Sequence, residues 1–98
     1  MDIKDRFNNF IKDSISDIIR SEYKRIGYDV KNTDVEVRFQ RQITITINLE
    51  NPNLGVRKFE FLDDVKRKVK EAVGIFGYAF ESSEDFYGFW ICKFKFSQ

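Results

Sequence analysis

The chain has 98 residues, 17 basic and 16 acidic, with no His and a formal net charge of +1. That length builds one two-layer core, and 42% hydrophobic residues with 16% aromatics exclude a disordered chain. The charge balance argues against a dedicated DNA or membrane-surface binder. The single Cys excludes an internal disulfide and a Cys-based zinc site. The absence of His removes the usual general base and the commonest metal ligand.

No apolar run approaches the roughly 18–20 residues of a membrane span. The start, Met1-Asp2-Ile3-Lys4-Asp5, lacks the basic-then-apolar pattern of a signal peptide. The expectation is an intracellular, cytoplasmic protein or one incorporated in a virion, with no membrane partner. Residues with AT-rich codons (Phe, Tyr, Ile, Lys, Asn) outnumber Gly, Ala, Arg and Pro. This composition fits a phage or virus genome, and many cellular ones.

Residues 3–26 are predicted to form one amphipathic helix. Ile3, Phe7, Phe10, Ile11, Ile15, Ile18, Ile19, Glu22 and Ile26 share one broad arc at helical spacing. Asp2 is the expected N-cap, and Gly27 stands where a left-handed exit residue belongs. Ser14 and Ser21 interrupt any coiled-coil heptad, so the helix is expected to lie on a sheet.

Residues 34–49 alternate strictly. Val35, Val37, Phe39, Ile43, Ile45, Ile47 and Leu49 are odd-numbered, and polar residues separate them. A three-residue loop Gln40-Arg41-Gln42 would pair Phe39 with Ile43 and keep the apolar residues on one face, whereas a two-residue loop would split them. One continuous bent strand is the other option. Asn51-Pro52-Asn53-Leu54-Gly55 is the strongest turn signal, after which Val56–Phe61 reads as a further strand pairing back on residues 43–50.

Leu62, Val65, Val69, Ala72, Val73 and Phe76 then recur at helical spacing. Asp63 and Asp64 are expected at the helix start, and Gly74 or Gly77 at its end. A hairpin follows, with arms Gly77–Ser82 and Phe86–Phe96 around a Ser83-Glu84-Asp85 turn. Ile26-Gly27-Tyr28-Asp29-Val30 and Phe76-Gly77-Tyr78-Ala79-Phe80 are faint echoes of each other, read as ordinary helix-exit chemistry.

Few residues suggest chemistry. Ser82 and Ser83 have no His to activate them. Glu81, Glu84 and Asp85 lack calcium-loop spacing, and a metal-dependent enzyme using Glu81, Glu84, Asp63 and Asp64 is the weakest of three function classes. Cys92 is expected to be a buried thiol between Trp90 and Phe94. No glycine pattern cradles phosphate. Lys66, Arg67, Lys68 and Lys70 form a basic run: a solvated helix face, or a candidate phosphate contact.

The final strand is the most informative segment. Phe86, Gly88, Trp90, Cys92, Phe94 and Phe96 have one parity, and Tyr87, Phe89, Ile91, Lys93 and Lys95 the other. With Trp90 in the core, the second set faces out. These observations predict an α+β two-layer sandwich, two helices on one face of a four- or five-stranded antiparallel sheet. The expected function is a non-catalytic protein–protein interaction or assembly subunit with no cofactor, binding a protein partner or itself through Tyr87, Phe89, Ile91, Lys93 and Lys95, with the lysines as a rim. The alternative is a small nucleic-acid-binding module, with weak affinity, using that aromatic and basic face.

Overall fold

The computed structural model describes residues 3–30, 35–39, 42–50 and 54–97. The order is helix α1 (Ile3–Arg25), strands β1 (Val35–Phe39) and β2 (Gln42–Asn48), a 3₁₀ turn (Gly55–Arg57), helix α2 (Lys58–Gly74), then β3 (Tyr78–Phe86) and β4 (Phe89–Phe96). The strands form one antiparallel sheet in the order β1-β2-β4-β3. Both helices cover one face, giving the predicted α+β architecture with four strands.

The alternation of residues 35–48 produces the β1–β2 hairpin, not a bent strand. Phe39 pairs with Ile43 and Val37 with Ile45, the register that the hydrophobic pattern requires. Gln42 opens β2, while Gln40 and Arg41, with the Asp2 cap and Asn51-Pro52-Asn53, lie outside the described residues. Ile43, Ile45 and Ile47 are fully buried beneath the helices.

Two expectations are corrected. Val56–Phe61 is not a fifth strand: the 3₁₀ turn runs straight into α2. Phe61 and Leu62 are buried, whereas Phe59 and Val56 are exposed, and helical spacing from Phe61 through Val65, Val69 and Val73 outweighs the short local alternation. Asp63 and Asp64 therefore sit inside α2, not at its start.

The second correction concerns the last hairpin. Its turn is Tyr87-Gly88, with φ of 48° and 84°, as a two-residue type I′ connection requires. Ser83, Glu84 and Asp85 belong to β3, which also shifts register between Phe80 and Ser82. Phe86 is thus paired with Phe89 on the open face instead of sharing a face with Trp90.

Trp90, Cys92 and Phe94 are buried, as expected, and complete one apolar cluster with the helices. The helices run antiparallel: Phe7 meets Phe76 at one end (ring centroids 5.1 Å apart) and Arg25 meets Asp64 at the other.

The echo between Gly27-Tyr28 and Gly77-Tyr78 extends well beyond four residues. Both glycines have φ of 91°. The amides of Ile26 and Gly27 donate to the carbonyls of Tyr23 and Lys24, and those of Phe76 and Gly77 donate to Val73 and Gly74. At the same fifty-residue offset, buried Ile11, Ile15, Ile19 and Tyr23 correspond to buried Phe61, Val65, Val69 and Val73. The strand order is also unchanged when α1-β1-β2 and α2-β3-β4 are exchanged. The fold is therefore pseudo-two-fold, with its axis passing between β2 and β4.

Candidate functional site

Sheet registers build the uncovered face row by row, because directly paired residues share a face. The first row is Gln42–Lys95–Ala79, and the second Arg38–Thr44–Lys93–Ser82. The third is Glu36–Thr46–Ile91–Glu84, and the fourth Asn48–Phe89–Phe86. One end of this face is therefore basic and hydroxyl-rich, and the other is aromatic.

Four of the five residues expected to bind a partner come together here. Phe89, Ile91, Lys93 and Lys95 lie along β4, an inner strand, so they occupy the middle of the open face. Neither lysine lies on an edge strand. Phe89 is 42% exposed, and Ile91 and Lys93 are half-buried by their neighbours.

Tyr87 is not on this row. It stands in the β3–β4 turn with 87% of its surface exposed, its ring packed edge-on against Phe86 at 4.6 Å. Phe86 takes its place on the face. The sequence carried the signal for this exchange, since Gly88 is a preferred second residue of a two-residue hairpin turn. The first turn position, a Tyr, is atypical.

Tyr87 holds a left-handed backbone conformation that costs an L-residue about 1–2 kcal/mol. Asn or Gly would relieve much of that cost. An aromatic ring is thus projected from the tip of a hairpin at the expense of local strain. Beside it, Lys58 reaches Asp85 at 3.2 Å and covers the Phe59 ring at 5.1 Å.

The basic run of α2 splits across the helix. Lys66 lies over the Phe80 ring at 5.0 Å, on the β3 side. Lys68 pairs with the buried Glu22 of α1, and Arg67 with Asp64 at 3.3 Å. Lys70 is exposed. Two of the four candidate phosphate contacts thus already hold carboxylates.

Glu22 escaped sequence analysis as a site because it falls on the apolar arc of α1. Burial opposes its ionisation, yet hydrogen bonds from Lys68 and Arg25 outweigh that and hold its carboxyl below the usual range. Arg25 also reaches Asp64 at 2.8 Å, so the cluster ties α1 to α2. Burial pushes the Cys92 thiol up to about 12, only partly offset by Lys66, which keeps it protonated and unreactive.

Among the described residues no group of three or more His, Cys, Asp or Glu side chains is placed to hold a metal ion. Asp63, Asp64, Glu81 and Glu84 do not converge. Nor, among those residues, is any helix long and apolar enough to cross a membrane. No family model, curated protein or solved structure matches the chain.

Proposed function

We propose that the protein is a non-catalytic association domain that binds a protein partner through the aromatic end of its open sheet face. The observation that carries this reading is the contiguous set Phe86, Phe89 and Ile91 on the face opposite the one the helices cover, with Tyr87 projecting beside it. Aromatic side chains at the centre of an interface often carry most of its energy. Thr46 and Asn48 on one side, Glu84 on the other and Lys93 beyond Ile91 give the set a polar border, with Lys95 one row further on. An assembly subunit, in a phage or virus particle or elsewhere, is the form of association that small size and AT-rich composition favour.

A second reading, a weak single-stranded nucleic-acid binder, draws on the basic row Arg38–Thr44–Lys93 with Lys95 beside it. Phe89→Asp and Lys93→Glu together separate the readings. Under the first, Phe89→Asp weakens partner association by at least about 2 kcal/mol in a titration. Chemical denaturation of the dilute variant changes much less, because the ring is already half in water. Retention of oligonucleotides that Lys93→Glu abolishes would favour the second. A Phe89→Asp chain that unfolds when dilute, with every association intact, would make these side chains internal support.

A further inference from the structure

The furrow between α1 and α2 has two chemically opposite ends. Where α1 finishes, Glu22, Arg25, Asp64 and Lys68 fill it with ion pairs. The fifty-residue pseudo-symmetry maps those positions onto Ala72, Ile75, Ser14 and Ile18 at the other end. There the furrow is an open groove of about 240 Å³, lined chiefly by Phe10, Ser14, Ala72, Val73, Ile75 and Phe76. Small side chains stand where the opposite end carries a carboxylate cluster, so this end is unfilled and apolar.

The surface beside the groove is self-complementary. Ile3, Arg6, Phe10 and Asp13 recur at i, i+3, i+7 and i+10, forming one exposed stripe of α1 along the groove's lip. Ile3, Phe10 and Ile75 are 85%, 59% and 81% exposed.

We propose that a second copy of this chain docks here, its α1 antiparallel to the first across a two-fold axis beside Phe10. Arg6 precedes Phe10 by about one turn and Asp13 follows it by about one turn. Reversal about that axis therefore places Arg6 of each copy against Asp13 of the other, with the Phe10 rings and grooves between. This is the isologous arrangement of a closed dimer. The exposed apolar residues at the groove offer on the order of 500 Å² per copy. The charged lip brings this towards the roughly 800 Å² per partner of an ordinary specific interface. The site lies on the helical layer, opposite the open sheet face, so it does not depend on the function proposed for that face.

Sedimentation velocity over a concentration series tests it. The unmodified chain is expected to dimerise reversibly, and Phe10→Asp to weaken dimerisation at least about 30-fold. Its denaturation midpoint in dilute solution should move little. Arg6→Asp and Asp13→Arg should each weaken self-association by about three- to tenfold. A mixture of the two single variants should regain it, because each supplies the charges that the other lacks. That mixture keeps the test valid even if Phe10→Asp folds poorly. A chain that stays monomeric throughout, a dimer lost with Phe89→Asp but untouched by Phe10→Asp, or a mixture no better than its components would each overturn the proposal.

Discussion

The two halves of the chain, α1-β1-β2 and α2-β3-β4, share one plan and differ in how strictly their sequences follow it. In the first half, β1 and β2 alternate without interruption, and their pairs are Val, Ile and Phe under the helices and Glu, Arg, Thr, Gln and Asn above. In the second, a register shift in β3 and a left-handed Tyr87-Gly88 turn interrupt the pattern, and aromatic residues stand on both faces of β4. The helices differ likewise. Glu22 of α1 is buried in an ionic cluster, while its counterpart in α2 is Ala72. The regular half specifies its sheet register through burial alone, whereas the irregular half exposes the side chains from which we infer partner binding through the sheet.

The sharpest way to break this comparison is at the buried face of the irregular half. Trp90→Ala should cost about 3–5 kcal/mol in a denaturant titration, as for any well-packed aromatic. A loss below about 1 kcal/mol would mean that β4 is turned over. Gly88→Ala comes next, at about 1–2 kcal/mol, since φ of 84° disfavours any side chain. The added Cβ would also stand 2.6 Å from the Glu50 side chain, which is exposed and can swing aside. Unchanged stability would show that the hairpin turns elsewhere.

Glu22→Gln tests the regular half. Its folded pKa lies below the ordinary value of 4.5. The carboxylate therefore adds stability at neutral pH, which is lost as pH falls below about 4.5 towards the folded pKa. The variant should cost about 1 kcal/mol at pH 7, and the gap from the unmodified chain should close in acid. A gap that stayed constant across that window would place the effect in packing instead of charge. The smallest expected effect is favourable. Tyr87→Asn should stabilise the dilute chain by about 0.5–1 kcal/mol by relieving the left-handed Tyr, while weakening partner association if its ring makes contact. Lower stability would show that Tyr87 anchors Phe86 in the monomer.

These contrasts also explain what could be read ahead of the structure. Helix α1, the β1–β2 register and the burial of Trp90, Cys92 and Phe94 were legible because a long uninterrupted period leaves one face for every side chain. Phe86 and Tyr87 were misplaced because parity counting assumes a flat ladder, and one turn of opposite handedness resets it. Phe59 and Phe61 were ambiguous because six residues fit either period, and only burial of Phe61 beside Tyr23, with rings 4.3 Å apart, decides for the helix.

By itself, the sequence determined the α+β class, the order of the elements apart from a possible fifth strand, and many of the buried positions, such as Ile11, Ile15, Ile19, Val65, Val69 and Val73, since these follow from local periodicity and from the need to bury one face. Only the tertiary structure decided that β4 lies inside the sheet, and that Lys68 crosses to Glu22 while Lys66 turns to Phe80. The same holds for the difference between the two ends of the helical furrow. Each is a pairing between segments far apart in the chain, so it depends on which elements meet and in what register, and no local pattern carries that information.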